Sequence, residues 1–376
     1  MKRKKIGILG GGQLARMSSY QATRMGFEVS ILEKKGNSPA GQISHEEFTG
    51  WVDDDKLKEF VNGCDIITLE NEFIDYHALE MIESFGVKVL PSSRTISLIQ
   101  DKLIQKQTLS AAGLPVPNFV EIVDNSSYNS LSELLGEQFI IKSRTMGYDG
   151  YGNALVRDEA SFQEGIKKLE GRNSNLMAEE FVPFVKELAI MIARTEKEIV
   201  CYPIVETIQE NHICHTVIAP AAIETKLREE IKGICINSVK AVEGIGIFGI
   251  ELFLKEDNSI MINEMAPRPH NSGHYTIEAC VTSQFENHIR AVLGMPLGSP
   301  EMIKPAAVMV NLLGKREGEG IPFNYENILN YSDVKFHIYG KEFSRVGRKM
   351  GHITKIGDDT RKLIKELEAI EKQIDI

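Results

Sequence analysis

The chain has 376 residues, a length at which we expect two or three domains. Its 42% apolar and 26% charged residues are typical of a folded globular protein and exclude disordered, collagen-like and disulfide-rich classes. With 43 basic and 53 acidic residues the formal charge is −10, which argues against unspecific binding to nucleic acid or anionic membranes. An anionic substrate would therefore need a local basic pocket.

The five cysteines are odd in number, scattered and without a Cys-x-x-Cys pair, so neither a disulfide framework nor a zinc cluster is indicated. The basic start is followed by a short apolar run, Ile6–Leu9, that is too short for an export signal. No run approaches the roughly 20 apolar residues of a membrane span. We expect a cytoplasmic protein with no membrane segment and no nucleic-acid partner.

The N-terminal region alternates strand-like and helix-like segments. Lys5–Leu9, a glycine turn, Gln13–Met25 and Phe27–Leu32 predict a strand, turn, helix and strand in that order. The alternation continues, and it favours a parallel sheet covered by helices for residues 1 to about 100. The further predicted elements here are strands at Cys64–Leu69 and Val87–Leu90 and helices at Ala78–Phe85 and Ser93–Ala112.

Residues from about 118 to 297 read as a mixed region. Its strand-like runs are joined by connections too short for crossover helices, which favours antiparallel pairing. These runs begin near residues 139, 175, 188, 199, 247 and 260, with helices near 158–169 and 224–243. After Pro300 we expect a third region with strands at 307–312 and 335–339 and a charged helix from Thr360.

The first glycine motif permits several interpretations. Gly10-x-Gly12-x-x-Ala15 follows a strand and opens a helix, and Glu33 ends the next strand, as in dinucleotide-binding proteins. The same turn receives other anions at a helix N-terminus, because the unpaired N–H groups there favour negative charge. A purely structural glycine turn is the third possibility. The motif alone does not decide between them.

A second glycine-rich stretch has chemistry that hydride transfer does not need. Lys142 ends a predicted strand and is followed by glycines at 147, 150 and 152, which predicts a flexible lid whose N–H groups close over phosphates. The alternative is a hairpin turn with an exposed lysine. Further on, Glu179–Val182 before Pro183 predicts a hinge beside an adenine ring, with Glu187 in reach of ribose hydroxyls; a solvated acidic stretch is the alternative.

Two carboxylates interrupt runs that otherwise read as buried strands. Glu251 and Glu264, the latter preceded by Asn263, would be costly to bury without a partner or a metal ion. Two carboxylates and an amide suit magnesium, which prefers oxygen ligands and is often shared with substrate phosphates. A buried salt bridge is the alternative interpretation.

The stretch after Glu264 concentrates polar side chains. Pro267 and Pro269 stiffen it, so that Arg268, His270 and Asn271 can be held still beside a metal ion. Arginine suits a planar or tetrahedral oxyanion because its donors form a rigid fork. The His-x-x-x-His spacing of residues 270 and 274 alone would suggest zinc, but it lacks the helical pattern and the glutamate of such motifs.

Several motifs in the same chain order resemble those of the ATP-grasp enzymes. Among these enzymes the chain is most similar to the 5-(carboxyamino)imidazole ribonucleotide synthases of purine biosynthesis, the ATPase subunit of phosphoribosylaminoimidazole carboxylase. The likeness extends from about residue 5 to about residue 352. The motifs that carry it are Gly11-Gly12-Gln13-Leu14, Thr68-x-Glu70-x-Glu72, Gln100-Asp101-Lys102, Lys142 to Gly152, Glu179 to Val182, Asn263-Glu264, Ala266 to Tyr275, Thr282 to Phe285 and Gly347 to His352.

The resemblance implies a three-domain α/β and α+β fold. A Rossmann-like pre-ATP-grasp domain would span 1–100, an ATP-grasp domain with a mobile lid around 143–153 would span 101–297, and a small C-terminal domain would span 298–376. It also implies a ligase that makes carboxyphosphate from ATP and bicarbonate and carboxylates the amine of aminoimidazole ribonucleotide, with release of ADP and phosphate. A homodimer is implied as well.

The resemblance also implies roles for individual residues. The expected catalytic residues are Asp149, which would orient the amine or take its proton, and Arg268, His270 and Asn271, which would hold bicarbonate or carboxyphosphate. Magnesium or manganese would lie on Glu251 and Glu264. The expected ATP-binding residues are Lys102, Lys142, Gly147, Tyr148, Asp149, Gly150, Tyr151, Gly152, Asn153, Glu179, Glu180, Phe181, Val182, Glu187, Gln209, Asn263 and Glu264. The expected ribonucleotide-binding residues are Gln13, Leu14, Glu70, Tyr148, Lys341, Arg345 and Arg348.

The chain departs from the usual family pattern at a few positions. Lys102 stands where arginine is common, Met146 where a lid glycine is expected, and Gln209 where a histidine is usual. Three other functions remain open: an ATP-grasp ligase with a different acceptor, a nicotinamide oxidoreductase, and a non-catalytic nucleotide-binding regulator.

Overall fold

A computed structural model describes residues 3–51, 54–147, 152–170, 175–321 and 324–376. Four residues of the predicted lid, Tyr148, Asp149, Gly150 and Tyr151, lie outside these ranges. The roles that we expect for these four residues therefore stay predictions.

The N-terminal region contains the parallel sheet that the sequence predicts. The elements up to residue 111 are β1 (Lys5–Leu9), α1 (Gln13–Arg24), β2 (Glu28–Glu33), β3 (Glu46–Thr49), α2 (Asp54–Gly63), β4 (Ile66–Leu69), α3 (Tyr76–Ser84), α4 (Ser93–Ser97) and α5 (Lys102–Ala111), with a 3₁₀ turn at Gly41–Ile43. In the described ranges, the strands of this sheet pair in the order β3-β2-β1-β4, and every neighbouring pair is parallel.

Two predictions for this region are wrong in detail. Val87–Leu90 forms only an isolated bridge between Val89 and Ile67, and Pro91 follows at once, so the next residue offers no N–H to continue the pairing. The single helix expected over 93–112 is divided into α4 and α5. Asp101 starts the second helix because its carboxylate accepts from the N–H groups of Leu103 at 2.8 Å and Ile104 at 3.3 Å.

The rest of the chain forms antiparallel sheets, as the short connections predict. The elements of the central region are β5 (Phe119–Ile122), α6 (Tyr128–Leu135), β6 (Phe139–Ser143), β7 (Asn153–Val156), α7 (Glu159–Glu170), β8 (Leu176–Glu180), β9 (Lys186–Arg194), β10 (Ile199–Cys201), β11 (Val205–Glu210), β12 (Ile213–Ala219), α8 (Thr225–Ala241), β13 (Gly246–Leu254), β14 (Ile260–Ala266), α9 (Thr276–Ala279) and α10 (Gln284–Val292). Over the part of the chain that the structure describes, a smaller sheet has the order β5-β8-β6-β7, and a larger one begins with the order β14-β13-β9-β11-β12, with β10 on β9.

The C-terminal region continues the larger sheet. The elements after residue 300 are β15 (Ala306–Leu313), β16 (Gly318–Glu319), β17 (Val334–Ile338), β18 (Phe343–Ser344), β19 (Lys349–Gly357) and α11 (Thr360–Glu371), with a 3₁₀ turn at Tyr325–Asn330. β12 pairs with β15, β15 pairs with β19, and β19 pairs with β17, so central and C-terminal strands share one hydrogen-bonded sheet. The charged helix predicted from Thr360 is confirmed.

The core of the larger sheet lies on both faces of β13. Phe248 and Ile250 pack on one face with Ile231 of α8, and Ile247 packs on the other with Tyr275. Because these residues are fully buried, β13 and β14 form a rigid platform for the polar groups between them. Among the described helices, none is both long and apolar enough to cross a membrane.

Candidate active site

The first glycine turn is closed by the protein's own carboxylates. The N–H of Gly11 donates to Glu33 Oε2 at 2.7 Å, and the N–H of Gly12 donates to Glu70 Oε2 at 2.5 Å. A Cβ at Gly12 would lie 2.2 Å from Glu70 Oε1, so a side chain there would displace the Glu70 carboxylate. A dinucleotide pyrophosphate would need these same N–H groups and would meet two acidic side chains. The structure therefore disfavours the nicotinamide interpretation.

The residues of the expected ribonucleotide site near this turn differ in their burial and in their contacts. Glu70 is buried, which raises the pKa of its carboxyl, and its Oε1 also accepts from the N–H of Leu14 at 3.3 Å. The Leu14 side chain packs with Phe285 and Tyr339, so it joins α1 to the other regions. Lys341 lies close enough to Glu70 for its charge to favour the carboxylate. The structure thus brings Glu70 and Lys341 of the expected ribonucleotide site together, with Gln13 at the first position of α1.

The predicted lid is a connection between paired strands. Its ends are held by a hydrogen bond from the N–H of Ser143 to the carbonyl of Gly152 at 2.8 Å, so β6 and β7 form a hairpin. Gly152 has φ of +95°, and a Cβ there would lie 3.2 Å from the Gly147 Cα. Met146 has φ of 60°, a conformation that favours the glycine expected at this position. Asn153, also expected to bind ATP, is the first residue of β7.

Lys142 is buried rather than exposed, which removes the exposed-lysine alternative. Its ammonium lies 2.7 Å from Glu179 Oε1 and donates to Asn263 Oδ1 at 3.3 Å. Glu179 is 2% exposed and also contacts the ammonium of Lys106 at 2.9 Å. The acidic stretch is therefore not simply solvated, because its first glutamate points inward as the counter-ion of two lysines.

The residues after Glu179 lead from the end of β8 into the connection to β9, where the sequence predicts a hinge. Glu180 accepts from the side-chain amide of Asn118 at 2.9 Å, Phe181 is exposed and Val182 is buried. On the neighbouring strands, the Gln209 side chain hydrogen-bonds to Glu187, while burial raises the pKa of this carboxyl. Gln209 and Glu187 therefore adjoin, as expected for one nucleotide site.

A β-bulge places the metal-binding candidates on one face. Glu251 of β13 pairs with Glu264 of β14, but the next pair is Leu252 with Ile262, so Asn263 is the extra residue. A bulge turns consecutive side chains toward the same side of a sheet. Accordingly, the Asn263 amide donates to Glu251 Oε2 at 3.3 Å. Two carboxylates and an amide oxygen lie together, and this donor set fits Mg²⁺.

The two carboxylates differ in their electrostatic surroundings. Burial and the neighbouring Glu264 raise the pKa of Glu251. Burial also opposes ionisation of Glu264, but Lys102, in contact with it, outweighs this and holds the pKa of that carboxyl below its ordinary value. The salt-bridge alternative thus applies to Glu264, whereas the partly buried Glu251 carboxyl is suited to a cation.

Arg268 and His270 lie at the edge of this acidic pair. The guanidinium makes a forked contact with Glu72, at 2.5 Å and 3.0 Å. His270 Nε2 lies 3.6 Å from Glu251 Oε1. Burial, with the nearby charges of Arg268 and Lys349, lowers the pKa of His270 to about 4. Its imidazole is therefore neutral near pH 7 and able to accept a hydrogen bond, although it is a weak base.

Asn271 and the C-terminal basic residues lie around this centre. The Asn271 amide exchanges hydrogen bonds of 3.0 Å and 2.7 Å with Asn311 of β15. Arg348 donates to the Phe343 carbonyl at 2.5 Å, and Arg345 is exposed in the same segment. Lys349 is a site residue that the sequence did not predict: it lies close enough for its charge to lower the pKa of both Glu251 and His270. Its position inside the Gly347–His352 motif was the feature of the sequence that could have identified it.

Another group of potential metal ligands occurs in the described ranges. Glu278, His337 and His352 place ligand atoms within 4.8 Å of one another. The rings of the two histidines stack, with centroids 4.5 Å apart and planes at 16°, so their lone pairs run side by side instead of converging on one ion. This geometry is that of packed aromatic rings, with Glu278 hydrogen-bonded to His337 Nε2 at 2.8 Å.

The fold and the carboxylate platform are those of an ATP-grasp protein. Three family comparisons agree: a ribonucleotide synthetase preATP-grasp domain matches residues 3–100, an ATP-grasp domain matches 107–285, and a phosphoribosylaminoimidazole carboxylase C-terminal domain matches 307–366. A crystal structure of N5-carboxyaminoimidazole ribonucleotide synthetase from Thermotoga maritima is 41% identical, with a TM-score of 0.87 over 99% of both chains. The chain belongs to the N5-carboxyaminoimidazole ribonucleotide synthetase family, so the resemblance and the three-region α/β and α+β fold are confirmed.

Two further relatives extend the comparison. The Aspergillus clavatus synthase in complex with ADP and 5-aminoimidazole ribonucleotide is 35% identical, with a TM-score of 0.87 over 98% of both chains. The chloroplastic phosphoribosylaminoimidazole carboxylase of Vigna aconitifolia is 42% identical over 94% of this chain. The chain covers 64% of the length of that relative.

Proposed function

We propose that the protein is a carbon–nitrogen ligase of de novo purine biosynthesis. It uses ATP and bicarbonate to carboxylate 5-aminoimidazole ribonucleotide, through carboxyphosphate, to 5-carboxyaminoimidazole ribonucleotide, ADP and phosphate. The observation that carries the proposal is the β-bulge that places Asn263 and Glu264 opposite Glu251, because it brings Lys142 and His270 to one acidic centre. The similar proteins named as synthetases support the choice of acceptor.

In the first step a bicarbonate oxygen attacks the terminal phosphorus of ATP and ADP leaves. Phosphoryl transfer depends mainly on positioning and charge stabilisation. A magnesium ion on Glu251, Asn263 and Glu264 would neutralise phosphate charge there. Lys142, at the end of β6, offers its ammonium to the phosphates, and Lys102 can turn to them from Glu264.

Arg268 and His270 are suited to the carbon side of the reaction. The fork between Arg268 and Glu72 fixes the plane of the guanidinium, which leaves a remaining donor edge for the bicarbonate or carboxyphosphate oxyanion. The neutral His270 can accept a hydrogen bond from bicarbonate and so orient it. Asn271, tied to Asn311, keeps this segment in place.

In the second step the exocyclic amine attacks the carboxyphosphate carbon, phosphate leaves and the amine loses a proton. Carboxyphosphate is labile in water, so the loop around 143–153 would have to exclude solvent before the attack. Asp149, within this loop, is the residue that we propose to receive the amine proton or to orient the amine.

The direct test is ADP formation with each substrate omitted in turn. We expect full turnover only when ATP, magnesium, bicarbonate and aminoimidazole ribonucleotide are all present, measured by a coupled ADP assay. Turnover with glycinamide ribonucleotide and formate, and none with aminoimidazole ribonucleotide, would assign the chain to a related ligase. Nucleotide binding without turnover under any of these conditions would favour a non-catalytic regulator.

Replacing Asp149 with asparagine is expected to separate acceptor chemistry from ATP binding. The amide keeps the size of the side chain and loses its charge and basicity, so ATP affinity should stay within about twofold while acceptor-dependent ADP formation falls about 100-fold, in the range of general-base catalysis. Calorimetry and the coupled assay measure the two quantities side by side. Full acceptor-dependent turnover, or loss of ATP binding itself, would contradict the proposed role.

The assembly and the compartment are further parts of the proposal. We propose that the protein is a homodimer, which the family resemblance supports. We also propose that it is cytoplasmic, which the free cysteines support because a reducing compartment keeps thiols unpaired. One relative is named as chloroplastic, so the compartment differs within the group. Light scattering on the purified protein tests the dimer.

A further inference from the structure

Lys106 is a buried cation to which neither the sequence motifs nor the proposed mechanism gives a role. It lies on α5, one turn after Lys102, and only 2% of it is exposed. Its ammonium donates to the carbonyl of Ile262 at 2.9 Å and lies 2.9 Å from Glu179 Oε2. Burying a lysine is costly unless a specific arrangement compensates for it. The position therefore calls for an explanation beyond packing.

The partner of Lys106 is shared with a residue of the nucleotide site. Glu179 contacts Lys106 through Oε2 and Lys142 through Oε1, the second at 2.7 Å. Although burial opposes ionisation of Glu179, the two lysines lower the pKa of its carboxyl, which is therefore charged at neutral pH. Burial lowers the pKa of Lys106 to about 8, so Lys106 is mostly protonated at pH 7. Two ammonium groups thus share one carboxylate.

This sharing decides how much charge Lys142 can offer. With Glu179 as its sole partner, Lys142 would form a closed, neutral ion pair inside the protein. With Lys106 on the other oxygen, the cluster has one positive charge in excess. Lys142 is the member that reaches toward Asn263 and the metal-binding candidates, at 3.3 Å, whereas Lys106 points at the Ile262 backbone. The excess charge therefore faces the metal-binding candidates.

We infer that Lys106 is a positioning residue that, by occupying one oxygen of Glu179, keeps the Lys142 ammonium available to the phosphates of the bound nucleotide. This inference rests on the proposed function, since it presupposes a nucleotide beside Lys142. It predicts an effect that scales with the charge of the ligand. A packing role for Lys106 predicts no such dependence.

The test compares ADP and adenosine binding by calorimetry in the unchanged protein and in Lys106→Met, which keeps the length of the side chain and removes its charge. We expect about tenfold weaker ADP binding, the effect of one partly screened charge at close range, and unchanged adenosine binding. Thermal melting and circular dichroism show whether the variant is folded. Equal loss for both ligands in a folded variant would overturn the inference, because it would indicate a distorted pocket.

A second variant covers the case in which Lys106→Met destabilises the protein. Lys106→Met with Glu179→Gln removes the cation and its carboxylate together, so no unpaired charge is left buried and Lys142 keeps its full charge. We expect the ADP affinity of this double variant, taken relative to its adenosine affinity, to be higher than that of Lys106→Met. Adenosine binding reports any separate effect of losing Glu179, which is itself an expected ATP-binding residue. Failure of the double variant to recover ADP affinity, while folded, would also overturn the inference. If the unchanged protein binds no ADP at all, the proposed function fails instead, and the two failures are distinguishable.

Discussion

Replacing Glu264 with glutamine is expected to lower ATP turnover by about 100-fold or more while the protein stays folded. The substitution keeps the shape of the side chain and removes one of the two carboxylates of the proposed metal site. Loss of partners that only support metal ligands already costs roughly 10–100-fold, so loss of a ligand should cost at least as much. The coupled ADP assay over a range of magnesium concentrations measures the effect.

The chain offers a matched control for this change. Glu256, in the exposed turn between β13 and β14, is a glutamate of the same hairpin that lies away from the site. Glu256→Gln should turn over ATP at the unchanged rate. Near-normal activity of Glu264→Gln at saturating magnesium would show that the metal assignment is wrong.

Replacing Arg268 with lysine is expected to reduce bicarbonate-dependent turnover by about 100-fold, the usual effect of removing one donor to an oxyanion. Lysine keeps the positive charge beside the partly buried Glu72, whereas alanine would leave that carboxylate without its cationic partner. The lost feature is the planar fork, which contacts both oxygens of Glu72. Steady-state rates at varied bicarbonate and varied ATP separate the two substrates.

The pattern of the kinetic constants is the important result for Arg268→Lys. The KM for ATP should change little, because the guanidinium lies on the His270 side of the acidic centre. Arg290→Lys, in which a helix-surface arginine paired with Glu286 is changed in the same way, is the matched control and should behave as the unchanged protein. An effect confined to the KM for ATP would place Arg268 in nucleotide binding instead.

The sequence predicts the parts of the fold that depend on local periodicity and chain order. The parallel opening sheet, the antiparallel strands and the helix from Thr360 were all visible as apolar patterns. The break at Asp101 was less visible, because an N-cap is a single side chain acting on the backbone two residues later. Val87–Leu90 has the composition of a strand but is followed by a proline, and so forms only a bridge.

The candidate site also has features that the sequence predicts and features that it does not. Glu251, Asn263 and Glu264 could be selected because charge in an apolar strand is costly, but the bulge that aligns them is a matter of register and leaves no mark in the composition. The sequence predicts that Glu179 lies at a hinge. Its inward orientation, however, depends on Lys106 and Lys142, which come from two other elements. Such long-range pairs of charges cannot be read from one segment of sequence.

The pairing of β12 with β15 has a consequence for how this chain can be divided. Residues Thr216 to Ala219 are matched with 307–310 along one ladder, so a cut near residue 298 would remove the neighbour of an interior strand. The exposed backbone edges would be ready to pair with another chain. The C-terminal region would take its own apolar cluster with it, including Val308 and Leu367, yet it would lack the strand that shields β15. Central and C-terminal regions are thus expected to open as one cooperative unit in hydrogen exchange.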